Sequence, residues 1–169
     1  LPATGAAALN HDDALVRAMS VDGSARVITY GTTPDALLCA KDVRGDWPHR
    51  LELTLAYRSA EVKVRTQLCG SHWVPSVLAA VAGGLATGMS LTECAEGIAK
   101  AAPFDGRMQP VTMPDGVTFI RDDYKAPLWT LDSCLEFVRA ASAARKILVI
   151  GTISDWGAGA PEKYIKVAK

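Results

Sequence analysis

The spacing of apolar residues changes from every second residue to every third or fourth within one stretch of the chain. In residues 51–57 and 62–68 apolar and polar side chains alternate, and residues 58–60 separate the two runs. Alternation of this kind is typical of strands with one buried face, so the two runs predict an antiparallel hairpin. Apolar residues then recur at helical spacing between residues 74 and 85, which predicts an amphipathic helix.

A second helix is predicted directly after the first. Ser90 and Glu93 have the spacing of a capping box and stand ahead of further apolar residues, and Pro103 follows the segment. We place a domain boundary near Phe104, which divides the chain into residues 1–104 and 105–169.

Short elements precede the hairpin. Residues 6–9 and 36–40 are apolar runs, residues 26–30 are β-branched and aromatic and predict a strand, and residues 14–19 predict a short helix behind two aspartates. The mixture of strands and helices places the chain in the α/β class.

After the boundary the pattern is strand, helix, strand. Residues 113–116 are a turn signal, residues 117–120 predict a strand, and residues 146–150 predict a buried strand. The apolar residues of the helix between them are Leu131, Cys134, Leu135 and Val138. This order predicts a βαβ unit with a parallel sheet. Pro161 opens a last short helix. One such unit does not close a sheet, so we expect the chain to be a piece of a larger protein.

The charge balance and the cysteines exclude several classes of protein. The chain carries 18 Lys+Arg and 18 Asp+Glu, so it has no electrostatic footprint for nucleic acid. No apolar run approaches the roughly 18 residues that a membrane helix needs, which argues against membrane insertion. The four cysteines form no CxxC motif, and we expect free thiols in a reducing cytoplasm.

Common catalytic motifs are absent or incomplete. Residues 83–90 nearly fit a P-loop, but Met89 replaces the lysine and the segment lies between two helices, so we predict a helix–helix turn with Gly88 near its cap. The glycines that follow residue 150 do not have the dinucleotide-binding spacing. The three histidines have no metal-binding spacing, and no GxSxG motif is present, so we predict no metal ligand and no nucleophile.

Three segments offer polar groups that suit a nucleotide. Residues 70–80 read GSHWVPSVLAA at the start of the apolar helix, residues 105–109 read DGRMQ, and residues 120–127 read IRDDYKAP at the end of a strand. Carboxylates at the carboxyl end of a strand lie where α/β sheets bind their ligands. Singly, each has a simpler explanation as a helix cap, a surface arginine or a turn aspartate.

The order and spacing of these segments resemble the Mur ligase family of ATP-dependent carboxylate–amine ligases. Residues 1–13, residues 26–31 and residues 146–151 with Trp156 and Gly157 also resemble stretches of that family, most similar to its tripeptide–D-alanyl-D-alanine ligase branch. The resemblance implies the C-terminal half of the central ATPase domain, including the hairpin, followed by the start of a Rossmann-like C-terminal domain.

The resemblance also implies roles for five residues in nucleotide binding. Ser76 occupies the position of the asparagine that lies against adenine, and His72 is the motif residue that is kept. Arg107 matches an arginine that reaches the nucleotide phosphates, and Asp123 matches an aspartate that binds ribose hydroxyls. Two alternatives stay open for Lys125: it contacts a phosphate of the nucleotide, or it makes no contact with the nucleotide. Trp73 and Ser76 replace the two asparagines of the helix motif, and Trp73 either stacks on adenine or packs in the core.

The resemblance implies ATP and Mg²⁺ as cofactors, with the P-loop and the magnesium ligands upstream of this chain. A UDP-linked or other carboxylate would be phosphorylated to an acyl phosphate, and an amine, either an amino acid or a dipeptide, would then attack it in peptidoglycan precursor synthesis. The alternative is a non-catalytic module derived from a Mur ligase that binds a nucleotide or a partner. We expect the isolated chain to be inactive as a ligase.

Overall fold

The computed structural model describes residues 1–19, 25–154 and 160–168, except the side chains of residues 160, 163, 166 and 168. The chain forms two compact units. Unit 1 consists of Leu1–Gly45 and His49–Ala102, and unit 2 consists of Asp46–Pro48 and Pro103–Lys169. Each is described by itself below, and the domain boundary near Phe104 stays a prediction.

Unit 1 is built on a five-stranded sheet in which the strands lie side by side in chain order. The strands are β1 Ala6–Asn10, β2 Arg26–Gly31, β3 Leu38–Arg44, β4 Glu52–Tyr57 and β5 Ala60–Arg65. Strands β1 to β3 are parallel, and strands β3 to β5 are antiparallel. The predicted hairpin is therefore confirmed as β4–β5, with a loop of only Arg58 and Ser59 because Tyr57 pairs with Ala60.

Two of the three helices of unit 1, the first and the third, begin at caps that the sequence predicts. The three helices are α1 Ala14–Arg17, α2 Val74–Ala86 and α3 Leu91–Lys100. The Asp13 carboxylate accepts hydrogen bonds from the first backbone N–H groups of α1, and Ser90 and Glu93 form the capping box of α3. Between α2 and α3, Gly88 has a φ of +97°. The P-loop-like segment is thus a helix–helix turn, as predicted.

The core of unit 1 lies between the sheet and the two longer helices. Helix α2 packs on β1, β2 and β3, and α3 packs on β4 and β5. Most of the largest fully buried side chains lie at alternating strand positions or on the inner face of α2. They include Ile28, Leu38, Leu53, Leu55, Leu78 and Val81. This core confirms the α/β class and holds the start of α2 against the sheet.

Unit 2 contains a two-stranded hairpin and two helices. The elements are β6 Gln109–Thr112, β7 Thr118–Arg121, α4 Leu128–Ala140 and α5 Ala160–Ala168. Strands β6 and β7 are antiparallel, and the predicted turn at residues 113–116 joins them. The strand predicted at residues 117–120 is confirmed as β7, and the two predicted helices are confirmed as α4 and α5. Strand β6 was not predicted.

The predicted strand at residues 146–150 is wrong, and with it the βαβ unit. Strand β7 pairs with β6 across a short turn, and the described residues contain no parallel partner strand for it. The Lys146 ammonium group donates to the carbonyls of Arg139 and Ala141 at 3.1 and 3.2 Å, which holds residue 146 at the end of α4. The apolar residues that follow are exposed, with Val149 87% accessible.

Other expectations concern the thiols and the membrane. All four cysteines are free thiols, as predicted. Cys134 is half-buried, and the other three are buried. Among the described residues, no helix combines the length and the apolarity needed to cross a bilayer.

Candidate functional site: a guanidinium beside the β6–β7 hairpin

The β6–β7 hairpin brings two polar loops of unit 2 together. Arg107 lies in the loop before β6, and Asp123 and Lys125 lie in the loop after β7. Because the first residue of β6 pairs with the last residue of β7, these loops are neighbours. The Tyr124 N–H donates to the Gly106 carbonyl at 3.1 Å and fastens one loop to the other. Three of the five predicted nucleotide-binding residues thus come together.

The Arg107 side chain is half-buried and held from two sides. Its Nη1 donates to the Lys125 carbonyl at 3.1 Å, and its Cζ lies 4.8 Å from the centre of the Tyr124 ring. No carboxylate of the described residues forms an ion pair with Arg107. Its positive charge is therefore not neutralised within this part of the chain and suits an anionic group.

The nearby Arg121 has the opposite surroundings. Its guanidinium pairs with the Asp105 carboxylate at 3.3 Å and with the Asp123 carboxylate at 3.1 Å. All three side chains are largely exposed, so each ion pair contributes at most about 1 kcal/mol. The contact orients Asp123 but binds it weakly, which leaves its oxygens able to accept hydrogen bonds from a ligand hydroxyl.

Gly106 lets the two loops approach each other closely. Its φ is +67°, and a Cβ built there would lie 2.6 Å from Asp123 Oδ1 and 3.2 Å from the Tyr124 nitrogen. Two residues after Gly106, Met108 is buried, and its N–H donates to Asp122 Oδ1 at 3.3 Å. The arrangement around Arg107 therefore depends on a glycine beside it and on a carboxylate from the other loop.

The remaining two predicted residues lie at the start of α2 in unit 1. His72 is half-buried in the 3-10 turn Ser71–Trp73, and Ser76 is exposed in the first turn of the helix. The His72 and Trp73 rings are 5.6 Å apart and tilted by 40°. The predicted residues thus form two sets, one in each unit.

The position of Trp73 answers one question that the sequence left open. Its side chain packs against the buried core of unit 1, which favours the core over stacking on adenine. Its Nε1 is buried and has no hydrogen-bond partner among the described residues. Such a group costs about 1–3 kcal/mol, which the packing of the ring offsets.

A second polar cluster lies at the carboxyl ends of β1 and β2. The Asp12 carboxylate accepts hydrogen bonds from the N–H and the hydroxyl of Thr32 at 2.8 and 3.0 Å. His11 Nδ1 and Thr33 Oγ1 are 3.1 Å apart. A Cβ at Gly31 would lie 2.5 Å from Asp12 Oδ1. These groups bind one another, so the cluster joins the two loops and serves the fold.

Three residues of the site were not singled out by the sequence patterns as binding residues. They are Gly106, Asp122 and Tyr124. Each stands beside a residue that was singled out, but only the antiparallel register of β6 and β7 shows that they contact the opposite loop. No group of three or more His, Cys, Asp or Glu side chains among the described residues could hold a metal ion. Trp156 and Gly157, which resembled a family stretch, lie outside the described residues.

Known proteins similar in sequence are ligases. No protein-family model matches the chain. The UDP-N-acetylmuramoyl-tripeptide–D-alanyl-D-alanine ligase of Mycobacterium tuberculosis is 30% identical over 175 residues, which cover 100% of this chain and 34% of that enzyme. The UDP-N-acetylmuramoyl-L-alanyl-D-glutamate–2,6-diaminopimelate ligase of Geobacillus kaustophilus is 31% identical over 149 residues, 88% of this chain and 30% of that enzyme. The chain spans about a third of the length of these relatives.

The fold also matches solved structures of such enzymes. The MurF ligase of Thermotoga maritima in complex with ADP superimposes with a TM-score of 0.75. The match covers 96% of this chain and 36% of that one, at 15% identity. At this identity the likeness shows the fold and nothing further.

Proposed function

Since this chain belongs to the Mur ligase family, we propose that it is the nucleotide-holding third of an ATP-dependent ligase that joins a carboxylate to an amine. The observation that carries the proposal is the Arg107 guanidinium. It has no ion-pair partner among the described residues and lies beside Asp123 and Lys125, in a loop that the sequence relates to nucleotide binding.

The proposed reaction begins with transfer of the terminal phosphoryl group of ATP to a carboxylate oxygen. The products are ADP and an acyl phosphate. The amine nitrogen then attacks the carbonyl carbon and loses a proton, and inorganic phosphate leaves as the amide forms. Both steps depend on holding and neutralising phosphate oxygens, and a fixed cation with several N–H donors does this well.

We assign the three residues of unit 2 a part in holding the nucleotide. Arg107 donates to phosphate oxygens, and Asp123 accepts from the ribose hydroxyls. Lys125 adds positive charge near the phosphates. In unit 1, Ser76 takes the motif position that the family uses toward the base, and His72 is the motif residue that this chain keeps. The arrangement of the first three around one hairpin supports this assignment.

The remaining requirements are assigned outside the described residues. The described residues contain no metal-binding cluster, so we place the ligands of Mg²⁺ in another part of the enzyme. The carboxylate substrate, UDP-linked or of another kind, and the amine, an amino acid or a dipeptide, are those of peptidoglycan precursor synthesis. We place the reaction in the cytoplasm, where the four free thiols stay reduced.

The non-catalytic alternative has less support. The relatives and the solved structure described above are all named as ligases. The replacement of the two motif asparagines by Trp73 and Ser76 affects the side of the base and leaves Arg107 and Asp123 in place.

A chimera tests the proposal. The matched third of the M. tuberculosis ligase is replaced by this chain, and ADP release that depends on both the carboxylate and the amine is measured. We expect activity in the chimera and a loss of about a hundredfold in kcat/KM with Arg107→Ala, the scale expected when one charge-stabilising donor is removed. The isolated chain forms no amide with ATP under the same conditions.

The control variant is Arg58→Ala, which removes another arginine beside a tyrosine ring. Arg58 is exposed in unit 1, and its Cζ lies 5.2 Å from the Tyr57 ring centre. It should leave the rate unchanged. If the chimera does not fold, calorimetric titration of the isolated chain and its two variants with ADP replaces the assay. Near-normal turnover or ADP affinity in Arg107→Ala refutes the role of this residue.

A further inference from the structure

The contacts of Arg107 point to a role for the tyrosine that follows Asp123. We propose that Tyr124 is a positioning residue, which holds the Arg107 guanidinium in the orientation that binds phosphate. The proposal rests on the proposed function of Arg107 and adds a residue that the sequence patterns did not single out.

Burial in a core does not explain the position of the Tyr124 side chain. Its side chain is 64% exposed, and that of its neighbour Phe104 is 62% exposed. The two rings nonetheless meet edge to face, with centres 5.6 Å apart and planes at 90°. A pair so accessible to water gains little from the hydrophobic effect, so its fixed geometry needs another reason.

The reason that the structure offers is the guanidinium. The Arg107 Cζ lies 4.8 Å from the centre of the Tyr124 ring, within the range of a cation–π contact. Arginine side chains tend to stack their flat face on aromatic rings, and the N–H donors lie in the plane of the guanidinium. One donor bonds to the Lys125 carbonyl at 3.1 Å. The ring therefore restrains Arg107 without competing for the donors that an anion needs.

The backbone keeps the ring in place. The Tyr124 N–H donates to the Gly106 carbonyl at 3.1 Å, so the tyrosine is tied to the residue directly before the arginine it holds. An unrestrained arginine loses up to about 2 kcal/mol of rotamer freedom when it binds, and a restrained one has lost part of it already. Tyr124 thus strengthens phosphate binding without touching the phosphate.

The experiment uses the 169-residue chain and inorganic pyrophosphate, which isolates the phosphate contacts from those of the base. Affinity is measured by nuclear magnetic resonance from the shifts of the arginine Nε–Hε signals, with the Arg107 signal assigned by its absence in Arg107→Ala. We expect Tyr124→Leu to raise the Kd for pyrophosphate about two- to fivefold, which corresponds to loss of one exposed cation–π contact. Tyr124→Phe, which keeps the ring, should bind as the parent chain does.

A second readout separates positioning from a general structural effect. In the parent chain and in Tyr124→Phe, the ring current shifts the Arg107 Hε signal upfield, and in Tyr124→Leu this shift is lost. The amide signals of strands β6 and β7 should keep their dispersion in every variant, which shows that the hairpin stays folded.

The outcomes are distinct. Weaker binding in both Arg107→Ala and Tyr124→Leu, with rescue by Tyr124→Phe, supports the inference. Weaker binding in Arg107→Ala alone overturns the inference and leaves the proposed function standing. Unchanged binding in both variants overturns the inference together with the phosphate role of Arg107.

Discussion

Two glycines of unit 2 form a matched pair that tests the geometry of the site. Gly106 and Gly116 have φ values of +67° and +86°. A Cβ at Gly116 would meet nothing within 4 Å, whereas a Cβ at Gly106 would lie 2.6 Å from Asp123 Oδ1. Alanine therefore strains the backbone at both positions but forces a side chain of the site to move only at Gly106.

The expected magnitudes follow from these contacts. Alanine at a positive φ costs about 1 kcal/mol, which is the whole effect expected of Gly116→Ala. Gly106→Ala adds the displacement of Asp123 from its exposed ion pair with Arg121, about 0.5 kcal/mol. It also weakens the hydrogen bond from the Tyr124 N–H, 3.2 Å from the new Cβ, by about 1 kcal/mol. In Gly106→Ala the free energy of unfolding of unit 2 should therefore fall by about 2–3 kcal/mol.

Amide hydrogen exchange measures this difference locally. Exchange of the β6 and β7 amides reports the opening free energy of the hairpin, and it should be about tenfold faster in Gly106→Ala than in Gly116→Ala. Gly106→Ala should also weaken pyrophosphate binding, whereas Gly116→Ala should not. Equal exchange rates in the two variants would show that Asp123 does not lie against Gly106 in solution, and the described site geometry would be refuted.

Three further predictions concern other parts of the chain. Cys134 is half-buried whereas the other three cysteines are buried, so it should react first with a disulfide reagent under native conditions, as mass spectrometry after brief labelling would show, although burial raises its pKa. Val149→Lys should reduce aggregation of the isolated chain, measured by light scattering, because Val149 lies in an exposed apolar run with high β-propensity. Hydrogen bonds from the Ser90 hydroxyl and N–H hold the pKa of Glu93 below 4.5, so its contribution to α3 is present above pH 4.5 and is lost as the pH falls. Amide exchange at the start of α3 should therefore accelerate in acid, and Ser90→Ala should remove most of that pH dependence.

The parts of the fold that were predicted correctly are those that local patterns determine. The alternation in β4 and β5 and the capping box at Ser90 act over a few residues, so they are visible in the sequence and present in the structure. Strand β6 was missed because it is short and contains Pro110, which lacks a backbone donor. It is a strand because β7 pairs with it across the turn, and this depends on residues up to a dozen positions away.

The segment at residues 146–150 shows the opposite error. Its composition favours a strand, but a parallel strand forms only beside a partner, and the described residues provide none. The two contacts that Lys146 makes with the last carbonyls of α4 are instead available locally. Composition predicted a preference for a strand, and the available partners determined the outcome.

The candidate site also has a part that sequence patterns predict and a part that they do not. Arg107, Asp123 and Lys125 could be selected from motif spacing, but their mutual contacts could not, because the contacts follow from the antiparallel register of β6 and β7. Tyr124 was overlooked for this reason: in the sequence it is an aromatic residue 17 positions after the arginine on which it stacks.

Arg107 and Arg121 differ in the groups that surround them, and this difference determines which of them can bind an anion. Arg121 forms ion pairs with two carboxylates, which neutralise its charge and orient Asp123. Arg107 meets a carbonyl and an aromatic face, which restrain it without cancelling its charge. An arginine ordered by neutral groups keeps its charge available to an anion, whereas a carboxylate that orders it also competes with that anion. The neutral surroundings of Arg107 are therefore a stronger indication of phosphate binding than its place in a motif.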